Sequence, residues 1–426
     1  MPAAKAGRQR RQLPSTQAPT PCRPLRRRRL PQRIASLRAC VDGAAPGAQT
    51  WSRHSSPRGR LERTGLRPGL WHQDGPISAV PLYAIDVTNG RRAGHPGGMD
   101  FQPVERAMEA FQQSLTAAEI GKVCRRAFGG AAVPVSAVEL GTGMYNNVYR
   151  VALAGRDRPV ILRVAPEEGR QFRSERHLMR NEYGSVPWLA VIAPLMPQVL
   201  AVDWSHEVIG RDWMIQTYLD GVPAPEHLGR YPRRAWPAFF RQMGVIARSV
   251  HDVRGPFFGP VGGPGYGTWS EAVITSLEEI AADLDGAGLD AADVRKVAAV
   301  AGHERAVLDE VTEPGLLTGD LWTVNVMLDS GAAEPTITGV LDMDRTWFGD
   351  PAADWTIRMA LAKQDERVAF WEAYGQRDRS PAAVWRSLVY EVRHLGAVRL
   401  ERHRLGNAAG VENTYGAVAA VLADLG

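Results

Sequence analysis

Near Gly221 the hydrophobic period of the chain changes, and this restricts the possible folds more than any other feature. Upstream, short apolar runs bounded by turn residues read as strands: VPVSAVEL, NVYRVAL, RPVILRVA, QVLAVDW and WMIQTYL. The Gly-Arg-Asp triplet at 155–157 suits a hairpin turn between the second and third. Helical periodicity precedes them in PVERAMEAFQQS and LTAAEIGKVCRRAFGG; the latter opens with a Thr116/Glu119 capping box and stops at Gly129 and Gly130. A further helix is expected in RSERHLMRNEYGSVPWLAVI, with Leu178, Glu182 and Ser185 on neighbouring turns. Downstream of Gly221 nearly every segment is helical in period, as in AWPAFFRQMGVIARSVHDV and TWSEAVITSLEEIAADL. Only a short strand pair around 316–328 and 336–341 interrupts the helices. The pattern predicts an α+β molecule of two lobes: a small, five-stranded, mostly antiparallel lobe over 99–219 crossed by one helix, and a larger helical lobe over 220–426. The cleft between two such lobes suits a ligand.

The net charge of +5 averages two unlike pieces. Residues 1–98 hold 18 Lys and Arg against 4 Asp and Glu, whereas residues 99–426 hold 33 against 42. The body is acidic, so the basic overall balance is no footprint of nucleic-acid binding. The stretch CRPLRRRRLPQRIASLRAC is rich in Arg and Pro and lacks apolar periodicity. Such a segment buries too little surface to offset chain entropy, and 1–98 is expected to be a disordered extension. It also lacks the apolar run, about seven residues or more, that a secretory signal needs. Composition shifts abruptly at Met99, which is the expected true start; a genuine extension, or a basic arm for nucleic acid or membrane, is the alternative. Of three cysteines only Cys124 belongs to the body, which leaves no disulfide and no thiolate cluster for a metal. No apolar run reaches membrane-spanning length. A cytoplasmic protein without nucleic-acid or membrane partners is expected.

Chemistry-bearing residues recur where the expected strands end. In GTGMYNNVYRV, Gly141, Gly143 and Asn146 follow G-x-G-x-x-G spacing between two strands, where backbone can approach phosphate oxygens; a plain hairpin turn is the alternative. The glycines precede a strand rather than a helix, which argues against a dinucleotide fold. In VILRVA, Arg163 stands inside an apolar strand, and Glu182 on the next helix could pair with it to hold nucleotide phosphates; simple exposure of both is the other reading. In LLTGDLWTVNVMLD, Asp320 and Asn325 lie five positions apart in a turn between apolar runs. A hydroxyl that accepts phosphate needs a carboxylate within hydrogen-bond reach, and magnesium takes carboxylate and amide oxygens. Asp320 supplies the first, Asn325 an amide oxygen, and Asp342 a second carboxylate directly after ITGVL. Acids placed straight after buried strands are costly unless a cation neutralises them.

Together, TGDLWTVN and GVLDMDRTWFGDPAADW resemble the aminoglycoside phosphotransferase family, whose fold is similar to that of protein kinases and which includes choline and fructosamine kinases. The family pattern is His-Gly-Asp, four residues, Asn, then an Asp after a strand, Gly-Asp-Pro and a further Asp. The resemblance implies that Asp320 is the catalytic base and that Asn325 and Asp342 hold Mg2+. It implies that Gly141, Gly143 and Asn146 cover the phosphates of ATP, that Arg163 contacts them and that Glu182 orients Arg163. Gln216, Thr217 and Tyr218 then occupy the hinge, where backbone groups meet adenine. Three departures stand out: Thr318 in place of the family's His, Arg163 in place of Lys, and Asn146 in place of the third Gly. None removes a group the chemistry requires. The expected activity is ATP-dependent phosphorylation of a small-molecule hydroxyl, first of all on an aminoglycoside-like or other antibiotic. A metabolic kinase for sugars, ketosamines or amino alcohols, toward which GDLW points, and a nucleotide-binding pseudokinase regulator are the alternatives. A protein kinase is disfavoured, since no APE-like segment follows DMD. Asp350 and Asp354 are expected to cap local structure, His251 to be packed in its helix, and His394 and His403 to lie at the surface. Glu366, Glu372 and Glu391 are solvated acids or the wall of a pocket for a cationic acceptor, and GPVGGPGYGTW is a candidate lid.

Overall fold

The structure is a computed structural model and describes residues 98–141 and 143–425. The extension assigned to 1–98, apart from Gly98, lies outside the described residues. The first part of the body comprises β1 (Asp100–Gln102), α1 (Ala117–Phe128), β2 (Pro134–Leu140), β3 (Asn147–Leu153), β4 (Val160–Val164), α2 (Leu178–Ser185), β5 (Val199–Asp203) and β6 (Trp213–Thr217). Then come β7 (Val222–Pro223), α3 (Ala224–His227), α4 (Trp236–His251), β8 (Gly259–Pro260), α5 (Trp269–Gly286), α6 (Ala292–His303) and α7 (Arg305–Leu308). The remainder is β9 (Gly315–Leu316), β10 (Val326–Leu328), β11 (Ile337–Val340), β12 (Trp347–Gly349), α8 (Trp355–Ala362), α9 (Val368–Tyr374), α10 (Pro381–Arg404) and α11 (Ala408–Asp424).

Strands β1 to β6 form one sheet in the order β1-β2-β3-β4-β6-β5. That is one strand more than the five expected: β1 adds in parallel beside β2, with Phe101 opposite Ala137, while the other pairs are antiparallel. Alternation sends side chains to opposite faces. In β3, Asn147, Tyr149, Val151 and Leu153 are buried and the residues between them are not. Tyr149 and Val151, with Leu162 and Val164 of β4, pack on Ile120, Val123 and Cys124 of α1. β4 is buried along its whole length. Its other face carries Arg163 toward α2, on the side where Met179 packs with Met214. The Thr116/Glu119 capping box forms as expected, and Gly129 ends α1 at φ +92°.

One helical expectation fails and another is met only in part. Residues 103–114 form an irregular strap and not a helix. Their polar groups bind the sheet instead: Val104 N–H and Arg106 donate to the Glu139 carboxylate at 3.0 and 2.6 Å. Partners more than thirty residues away outweigh a local period that one sequence window can read. The second helix is confined to Leu178–Ser185, followed by a 3-10 turn over Trp188–Leu195. Pro187 and Pro194 lack the N–H groups that continuation would need.

β10 pairs with β11 as expected. β9, however, belongs elsewhere: it pairs with β12 in the sheet β8-β12-β9, while β10 lies in β11-β10-β7. The turn carrying Asp320 thus crosses from one small sheet to another. Behind these sheets, Phe239 of α4 and Phe370 of α9 share a core with Val326 and Val340. A second core joins Leu277 of α5, Val294 of α6, Leu395 of α10 and Val418 of α11. Among the described residues no helix is long and apolar enough to cross a membrane.

Candidate active site

Asp320 stands in a loop whose shape is dictated by its neighbours. Thr318 is fully buried, and its N–H and hydroxyl both donate to Asp354 Oδ2, at 2.6 and 2.8 Å. The same oxygen contacts His251 Nε2 at 2.7 Å, and the other ring nitrogen lies 2.8 Å from the Tyr374 hydroxyl. His251 is therefore packed, as expected, and Thr318 is fixed to Asp354 by two direct hydrogen bonds. Gly319 follows at φ +80°, and a Cβ there would fall 2.3 Å from the carbonyl carbon of Arg345. Only glycine accommodates both the angle and the crowding.

Asn325 donates its side-chain nitrogen to the Asp320 carbonyl at 2.9 Å and to Asp320 Oδ2 at 3.0 Å. Its own backbone carbonyl accepts from Leu341 N–H at 2.9 Å, which brings the residue before Asp342 against the loop. Asp342 has φ +61°, an uncommon conformation for a residue with a side chain. Arg163 donates to Asp342 Oδ1 at 2.6 Å and to both Glu182 oxygens at 2.7 and 2.6 Å. Gln216 adds a bond to Glu182 at 3.3 Å. Burial opposes the charge on Arg163, yet Glu182 and Asp342 hold its pKa above the ordinary value. Burial raises Asp320 well above the usual carboxylate range, and the charge of Asp342 raises it further.

Sequence reasoning passed over Asp344. Oxygens of Glu182, Asp342 and Asp344 lie within 4.8 Å of one another, and Asp344 is buried. Its carbonyl accepts from Asn181 on α2, and burial followed by the Asp342 charge keeps its carboxyl well above the ordinary range. The second acid of LDMD, two residues after one already singled out, was the available sign.

Gly141, Gly143 and Asn146 lie in the turn between β2 and β3. Gln112 of the strap donates to the carbonyls of Gly143 and Asn146 at 3.0 and 2.8 Å. Asn146 is buried, and its side-chain oxygen has no hydrogen-bond partner among the described residues. Gln216 lies in β6 between β4 and β5, Thr217 N–H bonds to the Gln198 carbonyl, and the Tyr218 carbonyl accepts from Arg158.

The remaining expectations divide. Asp350 and Asp354 accept from Ala352 and Thr356 N–H at the starts of their helical turns, as expected. His403 is exposed as expected, but His394 is not a free surface ring: it lies 3.1 Å from the Ala353 carbonyl and packs on Trp355. Glu391 is paired with Arg358, while Glu366 and Glu372 are largely exposed. The candidate lid is tied to α2, with Gly262 N–H donating to Asn181 Oδ1 at 2.7 Å.

The profile of the family described as "Phosphotransferase enzyme family" matches residues 136–388. Among solved structures, the apo form of a thermostable mutant of aminoglycoside phosphotransferase APH(4)-Ia is 19% identical, with a TM-score of 0.51 over 71% of this chain and 98% of its own. A ternary complex of another thermostable mutant with AMP-PNP and hygromycin B is also 19% identical, with a TM-score of 0.50 over 71% and 97%. The GDP complex of wild-type aminoglycoside 2'-phosphotransferase-IIIa is 15% identical, with a TM-score of 0.50 over 72% and 98%. No curated protein sequence matches. The likeness establishes a kinase-like fold, with a small sheet before a helical part.

Proposed function

The chain belongs to the phosphotransferase enzyme family, and we propose that it moves the γ-phosphoryl group of ATP to a hydroxyl of a small molecule. The observation that carries this reading is the way Asn325 holds Asp320 while Arg163 joins Glu182 to Asp342. Asp320 is the base in this scheme. Its carboxylate accepts the hydroxyl proton as the acceptor oxygen bonds to phosphorus and the bond to the departing ADP breaks. Its raised pKa favours that acceptance.

The side chains present are of the kind magnesium takes: Asn325 uses its amide nitrogen on Asp320 and keeps its side-chain oxygen, Asp342 has a second oxygen beyond the one on Arg163, and an Asp344 oxygen lies within 4.8 Å of those of Asp342 and Glu182. When bound, the ion neutralises charge on the phosphates. Gly141, Gly143 and Asn146 cover those phosphates, Arg163 contacts them under the control of Glu182, and Gln216, Thr217 and Tyr218 border the adenine. Residues 99–219 form the nucleotide lobe and 220–426 the lobe that carries the base and the acceptor.

The acceptor we favour is an aminoglycoside-like or other antibiotic, giving resistance or self-protection in the cytoplasm. Supporting this are hygromycin B in the complex of a similar protein and the excess of acids over bases in residues 99–426. The Gly-Asp-Leu-Trp run at 319–322 supports a second reading, a ketosamine or sugar kinase. ADP release across aminoglycosides, nucleoside and peptide antibiotics and sugars tests both. Asp320→Asn should lower turnover by about 10²–10⁴-fold while nucleotide affinity holds. Nucleotide binding without turnover on any acceptor would instead indicate a pseudokinase regulator, and full activity of Asp320→Asn would remove the assigned base.

A further inference from the structure

We infer that Arg404, the last residue of α10, is a positioning residue for this transfer: through Glu175 and Tyr145 it holds the turn between β2 and β3 down over the nucleotide phosphates. The inference rests on the phosphotransfer reading above. Arg404 donates to both oxygens of Glu175, at 2.7 and 3.0 Å, and both side chains are 8% exposed. Its guanidinium lies 4.4 Å from the centre of the Phe111 ring, 5.4 Å from Tyr145 and 5.5 Å from Phe172. Tyr145 lies in the turn, two residues before β3, and its hydroxyl donates to the Glu175 carbonyl at 3.0 Å. A cation stripped of water gains from aromatic faces what it loses in hydration.

Stability alone is a weak reason for such a pair, because a buried ion pair is often no better than well-packed apolar groups. What it fixes is direction. Glu175 also accepts from Arg345 at 3.4 Å, three residues beyond Asp342, so one carboxylate connects the end of α10 and the acid segment while its backbone holds Tyr145. From the other side Gln112, next to Phe111, donates to the carbonyls of Gly143 and Asn146, which flank Tyr145 in the chain. Loosening Arg404 should free the Tyr145 side chain while the Gln112 bonds to the turn's backbone stay in place.

The test uses the full chain and a fluorescent nucleotide, so that it does not depend on knowing the acceptor. Arg404→Met should speed nucleotide dissociation about tenfold and raise the KM for ATP similarly, the loss expected for a charge-assisted bond. Arg404→Lys should recover part of this. Tyr145→Phe should give a smaller increase, and the double variant should be no worse than Arg404→Met within about twofold, as for residues acting through one another. If Arg404→Met does not fold, Tyr145→Phe and Arg404→Lys carry the test. Unchanged dissociation with only a lowered melting temperature, or fully additive effects, would overturn the inference and leave the phosphotransfer reading intact. Failure of the unaltered chain to bind nucleotide would overturn both.

Discussion

The acid segment at 318–354 and the glycine-rich turn at 141–146 are shaped in opposite ways. The first has many bonds among its own residues: Gly319 and Asp342 have positive φ, Asn325 holds Asp320, and Thr318 bonds to Asp354, while Arg163, Asn181 and His251 bond to it from other elements. The turn is organised from outside, by Gln112 before it and by Glu175 and Arg404 far beyond it. A segment with several restraints of its own loses less when one outside partner is removed. A turn held by remote partners can respond to them.

Arg163 is the sharpest place to break this comparison, since it leaves the sheet to bind Asp342 in the acid segment. Arg163→Met leaves Glu182 buried without its cation and should cost about 3–5 kcal/mol in denaturant unfolding. A loss below about 1 kcal/mol would mean that the two regions are energetically separate. Next, Gly319→Ala combines a disfavoured φ with backbone overlap and should lower stability by about 2–4 kcal/mol. Hydrogen exchange should rise around Asp320 but not around Tyr145; equal increases in both would refute self-contained organisation.

Acid offers the smallest effect and the same contrast. Burial, aided by the charges of Arg358 and Arg393, pushes His394 down to about 3 from an ordinary 6.5. The unfolded chain therefore binds a proton that the folded chain refuses between those values. Stability should fall as pH drops below about 6.5, by at most about 1.4 kcal/mol per pH unit. Urea midpoints at about pH 7 and 5.5 should converge in His394→Gln; an unchanged slope would show that another group is responsible.

The acid segment was legible because its polar residues stand directly after apolar runs, a local pattern. Asp320, Asn325 and Asp342 follow apolar runs, and a polar residue there has few uses other than chemistry. Strands β2 to β6 and the cap of α1 were readable for the same reason, as alternation and a capping box are local patterns. The strap at 103–114 was misread because its period is helical while its partners, Glu139 and the turn carbonyls, lie too far along the chain to enter any window. Asp344 was missed because the sign in LDMD, a second acid two residues on, is weak until Asn181 of α2 is seen bonding to its carbonyl. Asp320 and β10 were rightly joined to a strand pair, but β9 went to another sheet, a choice made by β12 thirty residues later.

The family match at residues 136–388 includes every acid of the segment, yet Gln112 and Arg404 both fall outside it. A protein trimmed to the matched boundaries would look complete by homology. It would nonetheless lack Gln112 and Arg404, and with them the bonds to Gly143, Asn146 and Glu175 that reach the turn between β2 and β3 from outside the matched region.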